Sequence, residues 1–310
     1  MILVCGEALF DAVWHRDGEQ LLMPGGGPFN TARALGRFGV PTAFLGHLST
    51  DALGRRLAEL LAADGASLAL ASYGPEPTTL AVAQVDDEAG LAAYEFFVDG
   101  TSSPNLTAGM FPGELPPEVT AIHVGTLGLV LEPMASTLTD LIEREGGNRL
   151  VMLDPNVRPA VVTDEGEYRD RLGRLVAQST IVKASEADLG WLNPELGYES
   201  AADLMLDAGA RLVIVTLGPG GAYAITADSR VSVEARQTEV VDTIGAGDAF
   251  SAAFLAWLYD HDRLQADLSV SRGELQSALE FACLAASLTC AKAGAEPPTR
   301  EEIKAAQASA

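Results

Sequence analysis

Short apolar runs recur along the chain at regular intervals. Ile2–Cys5, Thr42–Leu45, Ala121–Val124, Leu150–Leu153, Thr180–Lys183 and Leu212–Thr216 are each a few residues long and bounded by polar or small residues. That is the pattern of strands buried on both faces. Between them, apolar residues return every three or four positions, which predicts helices over Asn30–Phe38, Ala52–Ala63, Met134–Glu145, Arg169–Ala177, Glu186–Leu192 and Ala201–Ala208. The last third turns helical, with long Ala- and Leu-rich segments at Asp248–Tyr259 and Glu274–Ala291. Strands that alternate with helices at this spacing predict βαβ units and a parallel sheet covered on both faces.

Two stretches break the rhythm. Ala12–Met23 is short and polar around Asp17-Gly18, and Thr78–Phe97 alternates on either side of a turn at Asp86–Gly90. The second reads as a hairpin. Strands inserted without helices of their own predict a small sheet over the site of an otherwise single α/β domain spanning residues 1–310. The inserted segments fall at about 12–24 and 76–103.

Composition narrows the partners. The chain of 310 residues carries 20 Lys plus Arg against 43 Asp plus Glu, a formal net charge of −23, and 48% hydrophobic residues. The apolar share fills a core and excludes general disorder. The charge argues against nucleic acid and against anionic membrane surfaces, which need clustered cations. An anion must then be held locally, by backbone amides, a helix N-terminus or a metal. The three Lys are Lys183, Lys292 and Lys304. Three scattered cysteines, Cys5, Cys283 and Cys290, read as reduced thiols of a cytoplasmic protein. No apolar run is long enough to span a membrane, and the first residues read as a strand and not a leader.

Several motifs fail on their chemistry. No Lys follows a Gly, which excludes a P-loop. His15-Arg16-Asp17 lacks the downstream Asn of a protein-kinase catalytic loop. Gly245-Ala246-Gly247-Asp248 starts like a dinucleotide fingerprint, but lies late in the chain and lacks the third glycine. The four His, at 15, 47, 123 and 261, show no metal-ligand spacing.

Two motifs remain. In Asp242-Thr243-Ile244-Gly245-Ala246-Gly247-Asp248, small residues expose backbone N–H groups just where a helix begins. This makes an anion site without side-chain cations. Asp248 at its mouth is either a base for an incoming hydroxyl or a helix cap. In Gly25-Gly26-Gly27-Pro28-Phe29-Asn30, glycines admit close backbone approach and Asn30 offers an amide from the first helical turn, or caps it.

In this order, the two segments resemble the paired signatures of the PfkB (ribokinase-like) carbohydrate kinases, and the resemblance covers essentially the whole chain. It implies an α/β fold of the ribokinase-like Rossmann type, a three-layer αβα sandwich with a small β-sheet lid. It also implies an ATP-dependent kinase that phosphorylates a primary sugar hydroxyl, with Mg²⁺. By the same resemblance Asp248 would be the catalytic base, and the amides of Gly245, Ala246 and Gly247 would hold the transferring phosphate. Asp11, Gly26, Gly27 and Asn30 would bind the sugar. Thr216, Gly218 and Gly221, in Thr216-Leu217-Gly218-Pro219-Gly220-Gly221, match the family's nucleotide loop.

Asp154-Pro155-Asn156-Val157-Arg158 resembles an element of fructokinases and 2-keto-3-deoxygluconate kinases. It implies that Arg158 brings positive charge to the reacting groups; a structural Asp154–Arg158 pair is the alternative. Lys183-Ala184-Ser185-Glu186-Ala187-Asp188 is similar to the fructokinase form of the family's N-x-x-E element, with Ser185 for the Asn and Asp188 for the Glu. Ser185 would then face the nucleotide, and Glu186 or Asp188 would organise a largely hydrated Mg²⁺. Asp242 and Ile244 fall where some relatives bind K⁺. In the lid, Tyr94 and Phe96 would meet the sugar, while the opposite face would form a homodimer. Fructose is the first expectation for the acceptor. 2-Keto-3-deoxygluconate, ribose or a nucleoside follow, and a catalytically silent sugar-binding relative or a dinucleotide oxidoreductase are the readings from other classes.

Overall fold

The structure is a computed structural model that describes residues 1–14, 20–86 and 91–308. Seven strands form the parallel part of one large sheet: β1 (Ile2–Cys5), β4 (Thr42–Leu45), β6 (Ala66–Ser67), β10 (Ala121–Gly125), β11 (Leu150–Asp154), β12 (Ile181–Ser185) and β13 (Leu212–Thr216). Two antiparallel strands, β14 (Ala222–Thr226) and β15 (Arg230–Val233), extend it, giving the order β15-β14-β13-β12-β11-β10-β1-β4-β6.

The apolar strands split by alternation into two cores. Ile2, Val4, Phe44, Met152 and Ile214 point to one side. There they pack with α1 (Gly27–Arg37), α2 (Ala52–Ala63), α7 (Ala246–Asp260), α8 (Arg272–Cys290) and α9 (Arg300–Ala308). Leu3, Cys5, Val124, Leu153 and Val215 point to the other, against α3 (Met134–Glu145), α4 (Glu165–Gln178), α5 (Glu186–Leu192) and α6 (Tyr198–Asp207). Both faces are buried, so the strands read as unbroken apolar runs. The expected three layers are present.

A second sheet has the order β3-β2-β8-β9 and is built from β2 (Leu9–Trp14), β3 (Gln20–Gly25), β8 (Leu80–Asp86) and β9 (Leu91–Phe97). A short pair, β5 (His47–Ser49) with β7 (Ser72–Gly74), completes the strands. The small sheet starts at Leu9, earlier than the expected segment, so Asp11 stands inside its strand β2, paired with Met23 and Ala81. Residues 15–19 and 87–90, with His15, Asp17 and Gly18, lie outside the described residues. No described helix is long and apolar enough to cross a membrane.

Candidate active site

The parallel strands aim their carboxyl ends at one edge, the usual place for a ligand crevice in α/β sheets. Asp154 ends β11, Ser185 ends β12 and Thr216 ends β13, and Ser185 and Thr216 are register partners. Next to this edge, beneath the small sheet, lies a cavity of about 450 Å³. That is the size of a small-molecule pocket.

Helix α7 begins at the cavity. Gly245 is its N-cap in a left-handed conformation (φ 76°) and supplies no side-chain cap. A Cβ on Gly245 would stand 2.6 Å from Cβ of Ala295, so the turn requires glycine. Asp248 is therefore not the cap of α7. It sits at the third helical position, buried, and its Oδ2 accepts a hydrogen bond from Nδ2 of Asn30 at 2.9 Å. Asn30 is no cap either: α1 is capped at Gly26, and Asn30 stands in its first turn with its amide on Asp248. The two sequence motifs thus meet through their side chains.

Gly27 lies between them. A Cβ there would come within 2.4 Å of Oγ1 of Thr126 and 3.3 Å of Oδ1 of Asp248. Asp11, Gly26, Gly27, Asn30, Phe96, Arg158, Ile244, Gly245, Gly247 and Asp248 all line the cavity. Ala246 does not; its amide donates to the Thr243 carbonyl at 3.3 Å and closes the turn. The amides of Gly245 and Gly247 remain as the groups at the cavity wall.

Burial raises the two acceptor-side carboxyls. Asp248 is pushed up to about 6, with the Asn30 amide and the Lys183 charge opposing the shift. Asp11 is also pushed up to about 6 by burial, against the pull of Arg158. Asp248 is thus ionised above about pH 6, in the range where a base works best near neutrality.

Lys183, which the sequence reading passed over, is buried on β12 and lines the same cavity. Its Nζ donates to Asp154 Oδ2 at 2.8 Å and lies 3.1 Å from where a Cβ of Gly247 would stand. Burial disfavours its charge, but Asp154, Asp248 and Asp188 more than compensate, and its pKa rises. Asp154 therefore pairs with Lys183 and not with Arg158. The Arg158 guanidinium folds onto the Asn156 and Val157 carbonyls and the Asn156 side chain, at the cavity rim.

Thr126 and Asn156 were also missed. Both have left-handed backbones (φ 56° and 38°), both line the cavity, and Asn156 Nδ2 donates to Thr126 Oγ1 at 3.1 Å. Such conformations cost about 1–3 kcal/mol each and persist where packing imposes them, often at sites. Glu7 is the remaining missed residue, fully buried at the cavity wall.

Other implied residues do structural work or lie outside the cavity. Ser185 and Asp188 form the capping box of α5, and Asp188 Oδ1 accepts from the Val157 amide at 2.7 Å. Asp188 therefore has both carboxylate oxygens engaged by the chain, and it steadies the loop that carries Arg158. Glu186 is exposed in the first turn of α5. Among the described residues, no group of three or more His, Cys, Asp or Glu could hold a metal ion.

Asp242 spends its oxygens on the amides of Ile244 (3.0 Å) and Gly294 (2.9 Å), pinning the turn before α7. Thr216, Gly218 and Gly221 border the loop after β13, beyond the cavity wall. The side chain of Tyr94 lies outside the described residues. On the small sheet Leu22 (53%) and Phe97 (50%) are exposed, whereas Phe96 lines the cavity. Cys5, Cys283 and Cys290 are all free thiols.

Known proteins carry the same organisation. A fructokinase of Rhizobium leguminosarum bv. trifolii is 39% identical over 263 residues, covering 83% of this chain and 79% of its own. The crystal structure of fructokinase from Vibrio cholerae O395, in its fructose, ADP and calcium ion bound form, superposes with a TM-score of 0.85 at 26% identity. It covers 98% of this chain and 97% of its own. The fructokinase of Xylella fastidiosa with bound ATP matches the fold with a TM-score of 0.91 at 24% identity, over 100% of this chain and 99% of its own. The description "pfkB family carbohydrate kinase" fits residues 5–302. With the family's pattern running through both halves of the cavity and nearly the full length, the chain belongs to the pfkB family of carbohydrate kinases.

Proposed function

We propose that this carbohydrate kinase transfers the γ-phosphoryl group of ATP to the 6-hydroxyl of fructose. The observation that carries the reading is the Asn30–Asp248 contact at 2.9 Å. It holds a buried, ionisable carboxyl at the N-terminus of α7, inside a cavity of small-molecule size. Relatives named fructokinase support the choice of sugar.

In this reading Asp11, Gly27 and Asn30 receive the acceptor sugar. Asp248 takes its hydroxyl proton as the phosphoryl group arrives. The Gly245 and Gly247 amides, the helix dipole of α7 and the ammonium of Lys183 meet the developing phosphoryl charge. Arg158 adds a second cation from the rim. Ser185, Thr216, Gly218 and Gly221, at the strand ends beside the cavity, are the proposed nucleotide contacts. A divalent ion such as Mg²⁺, bound with ATP, would neutralise the phosphate charge. Asp188 is already engaged by backbone amides, so such an ion would be held largely through phosphate oxygens and water.

The small sheet is the proposed lid, excluding water when it closes on the sugar. Leu22 and Phe97 on its exposed surface support a homodimer formed sheet to sheet; a sedimentation mass of one chain for the active enzyme overturns that part. A coupled ADP-release assay over fructose, 2-keto-3-deoxygluconate, ribose, glucose and common nucleosides tests the substrate. Fructose is expected to give the highest kcat/KM. Relatives named fructokinase favour fructose, so preference for 2-keto-3-deoxygluconate contradicts the assignment.

A further inference from the structure

Glu7 follows the first strand of the large sheet and is fully buried. Its Oε1 accepts from the Gly27 amide at 3.2 Å, and its Oε2 accepts from the Gly128 amide at 3.2 Å. The first amide opens α1, whose first turn holds Asn30. The second belongs to the short turn Thr126–Leu129, which presents Thr126 to the cavity. One carboxyl therefore ties together the two backbone segments that floor the acceptor site. Gly27, which donates to Glu7, is also the residue whose Cβ position lies 3.3 Å from Asp248 Oδ1. The two carboxyls flank the same glycine.

We propose that Glu7 is a positioning residue for the phosphoryl transfer, holding the α1 entry and the Thr126 turn in register, and that Glu7 and Asp248 do not both carry charge during turnover. This rests on the kinase reading above. Burial disfavours a second anion in this wall and the charge of Asp248 adds to it, so one of the two stays protonated.

The surroundings decide which. Lys183 on β12 and Arg158 after β11 favour the charged form of Asp248, and Asp154 opposes it. Asp11 on β2 also lines the wall. Glu7 is opposed by burial and by the Asp248 charge, and the two amides together with its own do not overcome them; its pKa is pushed up to about 8, above that of Asp248. Asp248 is thus the working anion near neutrality. Above about pH 8, Glu7 ionises, adds a second negative charge to the wall and weakens both acceptor and phosphoryl binding.

The test is the pH profile of kcat/KM for fructose in wild type, Glu7→Gln and Glu7→Ala, with folding checked by circular dichroism. Wild type is expected to rise through about pH 6 and fall through about pH 8. Glu7→Gln keeps one acceptor and loses the titration. Its activity at pH 7 is expected to drop roughly tenfold, and the falling limb to disappear. Glu7→Ala releases both amides and is expected to lose roughly a hundredfold or more. A Glu7→Gln profile that still falls through the same pH overturns the proposal, whether or not Glu7→Ala folds. So does a folded Glu7→Ala with wild-type kcat/KM. Wild type that phosphorylates no sugar ends the parent reading instead.

Discussion

Asp248→Asn is expected to lower kcat by about a thousandfold, the range attributed to a general base, while leaving the fold intact. Asparagine keeps a carbonyl that can accept from the Asn30 Nδ2 now bonded to Asp248, so the α1–α7 junction survives. What it loses is the ability to take a proton. Stability at pH 7 should not fall, and a rise is consistent with the structure. Burial pushes the Asp248 carboxyl up to about 6, so its ionised form is disfavoured in the folded state. A group with a raised acid pKa favours the fold when protonated and opposes it as pH climbs past that value. Removing the charge removes that cost, a trade of stability for activity. The readouts are kcat with fructose and the thermal midpoint at pH 7. Activity within tenfold of wild type contradicts the assignment of Asp248.

The second large effect concerns Lys183. Replacing it with Met leaves Asp154 buried with its Oδ2 stripped of the ammonium and supported by Ser251 Oγ at 3.3 Å. Removing one partner of a buried ion pair costs about 3–5 kcal/mol. Removing a cation from the phosphoryl cradle costs about 10²–10³ in kcat. The two losses separate in the double variant Lys183→Met with Asp154→Asn. Without the uncompensated carboxylate, most of the stability should return, but kcat should stay low, because the positive charge beside Gly247 is still missing. A double variant that regains both stability and kcat assigns Lys183 a purely structural role. The chain's −23 charge sharpens the point, since the cavity has few other cations to substitute.

The large sheet was legible because its strands bury both faces and read as unbroken apolar runs between amphipathic helices. β14 and β15 were missed: β15, Arg230–Val233, alternates exposed and buried positions over four residues at the sheet edge, too short to register. The small sheet was legible as a hairpin, but its first inserted segment was placed at about 12–24 whereas β2 begins at Leu9, because Leu9 and Phe10 carry the same apolar character as the first strand.

At the site, the Gly245–Asp248 turn and Asn30 were legible because turn chemistry demands small residues and a helix start. Lys183 carried a readable sign: one Lys inside the apolar run Ile181–Ala184 implies a buried partner. That Asp154 would be this partner depends on β11 and β12 lying side by side, which local sequence does not specify. Ser185-Glu186-Ala187-Asp188 was read for metal binding, although its spacing is that of a capping box. Asn156 stood inside a motif read only for Asp154 and Arg158, while Thr126 left no local sign, because its left-handed backbone is imposed by the packing around the cavity. Glu7 becomes legible only when α1 and the Thr126 turn meet across it.

The most direct test of the central claim is the phosphorus NMR spectrum of the product formed by the wild-type enzyme from fructose and ATP. The proposed function predicts fructose 6-phosphate, with the phosphoryl group on one of the sugar's two primary hydroxyls, the one placed at Asp248. A product phosphorylated elsewhere, or ADP formed without a sugar phosphate, contradicts it.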